Sequence, residues 1–233
     1  MPSVSGHNHK GVVSSGIPAL DEALDRSGFR KGSIILYVGD PSSRKDLFGY
    51  NFILEGLERG ETVSFFDVEA SSDEILELMH ESVDPKLLEG LDFVDACPEY
   101  SKFFINAVPA RIIEHMRQLD ETKVNRVLIN PLTFFLEKFG IRDTGDFIIM
   151  VREIAMRKGM VVVLLMADIL KEREMQSVID KFDGIIELKS IRIIDGIYHT
   201  ILVNKFSLGQ KNIELTYNIE GTRIRVTSTG KII

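Results

Sequence analysis

Two hydrophobic patterns alternate along the first four-fifths of the chain. Nearly continuous apolar runs occupy 33–38 (SIILYV), 62–68 (TVSFFDV), 91–96 (LDFVDA), 123–130 (KVNRVLIN) and 160–167 (MVVVLLMA). Between them, apolar residues recur every three or four positions, as a helix with one buried face requires. Leu47, Tyr50, Leu54 and Leu57 mark such a face over 47–59, and Val108, Ile112, Ile113 and Met116 mark one over 106–119. Phe147, Ile148, Val151, Ile154 and Ala155 mark another over 143–158, and further helices are expected over 71–80 and about 170–180. Ser71 and Glu74 have the spacing of a capping box, and Gly60 and Gly159 stand where helices end. Leu20 and Leu24 lie one turn apart in a short helix that Ser15 or Gly16 can start, and Asp84-Pro85 opens another short turn. Strands that read as continuous apolar runs and alternate with helices predict a mainly parallel sheet covered on both faces, an α/β fold.

The pattern changes after Gly184. Residues 185–194 and 197–206 read as strands joined by Asp195-Gly196, a two-residue hairpin signal, and 212–218 and 222–227 add two shorter strands around Gly221. This is an antiparallel β-meander appended to the sheet. Residues 1–13 are polar and read as a mobile arm, which leaves 14–233 as a single domain.

Composition narrows the picture. The chain has 233 residues, 44% hydrophobic and 27% charged, as expected of a globular protein with a sizeable core. Its 28 basic and 35 acidic residues give a net charge of −7, which argues against nucleic acid as the partner. No apolar run has the length of a membrane span, and the N-terminal residues lack the apolar middle of a signal peptide. The lone Cys97 excludes an intramolecular disulfide framework, so the expected location is cytoplasmic.

Between the first core strand and the first long helix lies Gly39 to Asp46, GDPSSRKD. Strand, tight loop and helix is the setting of a phosphate-binding P-loop, G-x-x-x-x-G-K-[ST], in which backbone N–H groups and a helix N-terminus point at phosphate. Gly39 and Lys45 match that pattern, whereas Arg44 stands at the second glycine and Asp46 at the hydroxyl. Ser43 and Asp46 also have capping-box spacing, so the helix can supply its own carboxylate where phosphate would lie, and Lys45 or Arg44 can pair with Asp46.

Five segments in order resemble the KaiC-like branch of the RecA superfamily, common in archaea. SGIPALDEAL is similar to that family's T-G-I-P-G-L-D-E-L-L, and GDPSSRKD sits where it has G-P-P-G-T-G-K-T. FFDVEASSDEI sits where a strand is followed by two acidic residues and S-P-E-E, VLINPLTFF resembles h-h-I-D-S-L-T, and DGIIEL matches D-G-V-I-E-L. The resemblance implies a RecA-like P-loop domain that binds ATP between neighbouring subunits, usually in rings.

The departures decide what the resemblance implies about activity. Ser42 and Arg44 occupy family glycine positions, and Asp46 replaces the hydroxyl that ligates magnesium. A carboxylate about 4 Å from phosphate, at an effective dielectric of about 20, is repelled by roughly 4 kcal/mol, about a thousandfold in affinity. Asn130 stands where the family has the Walker B Asp and cannot supply its charge. The acidic pair is reduced to Glu69-Ala70, leaving Glu69 as the one catalytic candidate if the site is active. The family's K-x-R, which reaches a neighbour's phosphate, reads Lys205-Phe206-Ser207.

The vestigial P-loop is therefore Gly39, Ser42, Ser43, Arg44, Lys45 and Asp46, with Lys205 as a contact in trans, and Asp46 and Asn130 as magnesium ligands only if magnesium binds. The implied role is a binding or regulatory subunit with a decayed ATPase site, no assigned cofactor beyond weakly bound ATP with magnesium, and partners that are a second copy, another RecA-like protein or a peptide segment. The alternative is an ATP-binding protein or slow ATPase in a signalling, motility or recombination-type assembly.

Other candidates read as structural. Cys97 before Pro98 reads as a buried thiol, His7 and His9 as solvated, and His80, His115 and His199 as too scattered for a metal site. Glu137 to Asp143 and Lys171 to Glu174 read as solvated charge, the first as a loop. Three Phe-Phe pairs (65/66, 103/104, 134/135) are expected in the core.

Overall fold

The apolar run at 34–39 becomes β3 (Ile34–Gly39), the middle strand of a nine-stranded sheet. The computed structural model describes residues 11–24, 28–80, 83–95, 102–193, 196–206 and 209–231. Preceding β3 are β1 (Val12–Val13), α1 (Pro18–Ala23) and β2 (Phe29–Arg30). After it come α2 (Lys45–Glu58), β4 (Thr62–Asp67), α3 (Ser72–His80), α4 (Pro85–Leu88), β5 (Leu91–Asp95), α5 (Lys102–Gln118) and β6 (Asn125–Asn130). The chain continues with α6 (Leu132–Lys158), β7 (Val161–Ala167), α7 (Glu172–Ile179), β8 (Gly184–Ile193), β9 (Gly196–Phe206), β10 (Gly209–Glu220) and β11 (Arg223–Lys231).

The strand order is β11-β10-β9-β8-β3-β7-β6-β4-β5. Pairing is parallel from β8 through β5 and antiparallel from β8 through β11, the mainly parallel sheet with a terminal meander that the pattern predicts. Ile35 and Tyr37 of β3 enter a core layer shared with α2 and the meander. Ile34, Leu36 and Val38 enter a second layer shared with α5, α6 and α7. Burial on both faces is why this strand carries no polar alternation. Phe65 and Phe66 divide between the same two layers, and Phe134 and Phe135 are both buried.

One buried charge ties the N-terminal segment to the sheet. Arg126 on β6 is fully buried; its Nε meets the Glu61 carboxylate, and its Nη1 donates to the carbonyls of Ser14 (2.6 Å) and Phe52 (3.0 Å). Its guanidinium lies 4.9 Å from the centroid of the Phe52 ring. Burial pulls its pKa below the ordinary arginine value, against the pull of Glu61. Residue 56 has no room for a side chain, since a Cβ there would lie 2.5 Å from Arg126 Cδ.

Four expectations change. Val12 and Val13, assigned from the sequence to the arm, pair with Arg30 and Phe29, and Val13 is buried. Glu137–Asp143 is helical, not a loop: Phe139 and Ile141 pack on the core while the charged residues face solvent, and Gly140 (φ 77°, ψ 174°) absorbs a kink within α6. α5 begins earlier, at Lys102, with Pro109 inside it, and the two last strands are longer than their apolar residues suggest. The Ser71–Glu74 capping box forms, with Glu74 accepting from Ser71 N at 2.9 Å. His7, His9, Cys97, Asp195 and Ser207 lie outside the described residues, as do the side chains of His80, Phe103, Phe104 and Lys205.

Candidate phosphate-loop site

At Gly39 the chain leaves β3 through a 3₁₀ turn (Pro41–Ser43) and enters α2. The turn is closed by its own carboxylate. Asp40 Oδ1 accepts from the N–H groups of Ser42 (2.7 Å) and Ser43 (2.9 Å) and from the Ser42 hydroxyl, and Oδ2 accepts from Ser190 N on β8 (3.2 Å). Desolvation, the largest single influence on Asp40, pushes its pKa up, but these donors together outweigh it and hold the carboxyl below its ordinary value. Ser43 Oγ donates to the Asp40 carbonyl (2.6 Å), and Tyr217 of the meander donates its hydroxyl to the Ser43 carbonyl (2.7 Å). His199 stacks on Tyr217 with ring centroids 5.1 Å apart and meets Ser190 Oγ at 2.9 Å. The meander thus braces the loop from the side.

Arg44 adopts the left-handed conformation (φ 52°, ψ 44°) that glycine favours, at a cost of about 1–2 kcal/mol for a side chain. The backbone path survives the loss of glycine. The Ser43–Asp46 capping box expected from the spacing does not form. Ser43 spends its hydroxyl on Asp40, and Asp46 Oδ1 lies 3.2 Å from Lys45 Nζ, so no side chain caps α2.

Across the sheet, β4 and β6 end in register at Asp67 and Asn130. Asp67 is 1% exposed; Oδ1 accepts from Glu69 N (2.9 Å) and Ala70 N (2.8 Å), and Oδ2 accepts from Asn130 Nδ2 (2.7 Å). Asn130 Oδ1 is buried without a hydrogen-bond partner among the described residues. Burial raises the pKa of Asp67 above the ordinary carboxyl value, and the three donors do not fully offset it. The exposed Glu69 is also raised, first by partial burial, then by Asp67, Glu137 and Asp46, against Lys45.

The fold thus brings Gly39, Ser42, Ser43, Arg44, Lys45, Asp46, Glu69 and Asn130 to the C-terminal ends of the parallel strands. Lys205 stands on β9 opposite Ile185. Sequence reasoning misses Asp40, Asp67, Ser190 and Tyr217. Asp40-Pro41 is a legible cap followed by a first-turn proline, and Asp67 is a legible charge in an apolar run. Ser190 and Tyr217 carry no local signal.

The raised pKa of Asp67 has a consequence for stability. A carboxyl that binds its proton more tightly when folded loses stability as pH rises from its unfolded value, about 3.9, through its folded one. Asp67→Asn removes that loss, so its stability relative to the parent chain rises across the window. Urea unfolding of both proteins between acidic and neutral pH measures it, and parallel curves would contradict it.

A parallel sheet with a phosphate-type loop at the end of its central strand, an acidic strand end beside it and an antiparallel meander behind it defines the RecA-like class of P-loop domains. A family model described as "ATPase: KaiC" matches residues 13–231, and the chain belongs to that family. Protein RecA of Malacoplasma penetrans is 32% identical over 108 residues, 46% of this chain and 31% of that protein. A UPF0273 protein of Thermotoga maritima is 29% identical over 137 residues, 52% of this chain and 55% of that one. These alignments span about a third and about half of the two curated relatives. A KaiC-like protein from Pyrococcus horikoshii has the same fold, with a TM-score of 0.73, 19% identity and coverage of 94% of this chain and 99% of that one.

An ATPase family implies nucleotide binding, with magnesium as its usual companion. The donor set here does not fit magnesium. Asp46 is engaged by Lys45, Asn130 is neutral, and both oxygens of Asp67 already accept from internal donors. Among the described residues, no three His, Cys, Asp or Glu side chains are grouped to hold a metal ion. Among those residues no helix is long and apolar enough to cross a membrane.

Proposed function

We propose that this KaiC-family chain, whose fold forms a single unit that includes Val12 and Val13, is a non-hydrolysing binding or regulatory subunit. It acts in the cytoplasm through contacts with a second copy, another RecA-like protein or a peptide segment. The observation that carries this reading is the internal pairing of the groups a magnesium nucleotide needs: Lys45 with Asp46, and Asn130 with Asp67. Phosphoryl transfer works through metal and positioned charge. Here Lys45 must leave a carboxylate before it meets phosphate, and Ala70 follows Glu69 where the family has a second acidic residue. The second reading, a slow ATPase, is favoured by one observation, the left-handed turn retained at Arg44.

Thermal unfolding separates the two. A ligand at about 1,000 times its Kd stabilises a fold by about 4 kcal/mol, which for a chain of this size is roughly 10 °C. No shift is expected with magnesium-ATP. A shift of that size would favour the ATPase reading, and the Asp46→Thr variant would then be the next protein to assay.

A further inference from the structure

α6 leaves helical geometry at Gly140 and re-enters it, and a cavity of 320 Å³ lies between its two halves and the first turns of α5. That volume is at the lower end of the range for small-molecule sites, about 300–1,000 Å³. Three phenyl rings line it. Phe135 and Phe147 stack with centroids 4.7 Å apart, and Phe139 lies 6.2 Å from Phe135. The kink and a proline each leave a polar group short of a partner. A helical threonine hydroxyl bonds the carbonyl one turn earlier, which for Thr144 falls at the break, Gly140. Thr144 lines the cavity, is 1% exposed, and its hydroxyl has no hydrogen-bond partner among the described residues. Across from it Pro109 also lines the cavity and has no N–H to give the Ile105 carbonyl one turn back.

Asp143 and Asp146 supply the charge. Both are exposed lining residues, one turn apart on the same face of α6. Among the described residues neither has an ion-pair partner, and the lining holds no Lys or Arg. Aromatic rings beside unpaired carboxylates attract a cation that carries an apolar body. An ammonium has three donors, enough for two carboxylates and one hydroxyl. A ring on that ammonium gains edge and stacking contacts with the phenyl groups that an alkyl chain does not.

We propose that the α5–α6 cavity is a binding site for a small arylalkylamine. The ring packs among Phe135, Phe139 and Phe147, and the ammonium donates to Asp143, Asp146 and the Thr144 hydroxyl. The site shares no residue with the phosphate loop and stands whether or not that loop holds a nucleotide.

Saturation-transfer NMR titration of the full chain with phenethylamine tests the site, against phenethyl alcohol and hydrocinnamate as neutral and anionic counterparts. The amine is expected to bind about tenfold more tightly than the alcohol, and the anion to show no transfer. Asp143→Asn combined with Asp146→Asn is expected to bring the amine down to the affinity of the alcohol. Thr144→Val keeps the shape and removes the hydroxyl. It is expected to weaken the amine about fivefold to tenfold and to leave the unliganded fold no less stable, because an unpaired buried hydroxyl costs stability. Each variant is first shown folded by circular dichroism. No transfer to the amine at millimolar concentration, equal binding of amine and alcohol, or unchanged amine affinity in either variant overturns the proposal. N-acetyl-lysine methylamide presents an ammonium on a peptide, and tighter binding of it than of phenethylamine overturns the assignment to a small arylalkylamine.

Discussion

Asn130→Asp is expected to destabilise the protein by about 3–4 kcal/mol at neutral pH instead of reviving the site. Asn130 Nδ2 lies 2.7 Å from Asp67 Oδ2, and both side chains are buried. Two carboxylates about 3 Å apart at an effective dielectric of about 20 repel by roughly 5 kcal/mol. The pair escapes by keeping one proton. Holding that proton at pH 7 on a group with an unfolded pKa of about 3.9 costs about 4 kcal/mol, which sets the ceiling. The sign follows from the raised folded pKa: the native variant binds more protons than the unfolded chain, so its stability falls as pH rises above about 4. The loss should shrink by about 1.4 kcal/mol for each unit of pH lowered towards that value. Denaturant unfolding of both proteins from acidic to neutral pH reads it directly. The reciprocal exchange, Asp67→Asn with Asn130→Asp, restores one charge and one amide and should recover most of the loss. An Asn130→Asp protein as stable as its parent at neutral pH would contradict the buried pair.

Arg126→Ala is expected to cost about 3–5 kcal/mol, the usual loss when one partner of a buried ion pair is removed. Glu61 is then left largely buried without its cation, and the Ser14 and Phe52 carbonyls lose their donor. For a chain of this length that is a fall of roughly 10 °C in Tm. Adding Glu61→Gln removes the stranded charge and should return at least about 1 kcal/mol. A loss below about 1 kcal/mol in the single variant would mean that Arg126 does not hold these segments together.

The architecture was legible because burial on both faces leaves no polar alternation in 34–39, 62–67, 125–130 and 161–167, and because the pattern changes visibly at Gly184. The helix through 137–143 was hidden by its charges, which face solvent while Phe139 and Ile141 hold it to the core. The strand, turn and helix around Gly39 and Lys45 were legible from the loop pattern. Its wiring was not. Asp46 has the spacing of a cap, yet its nearer neighbour Lys45 takes it. Asp67 and Asn130 are 63 positions apart and meet only through strand register, and Tyr217 reaches Ser43 across 174. Spacing along a chain encodes contacts within a turn or a helix, not pairings created by sheet order.

Under the proposed function the groups around this loop are committed to one another and hold no magnesium nucleotide. Titration calorimetry of the purified protein with ATP, with and without magnesium, measures this. No heat of binding at millimolar ATP is the predicted result in both titrations. Micromolar, magnesium-dependent binding would contradict it, because it would require Asp46 to leave Lys45 and the Asp67–Asn130 pair to open for a metal ion.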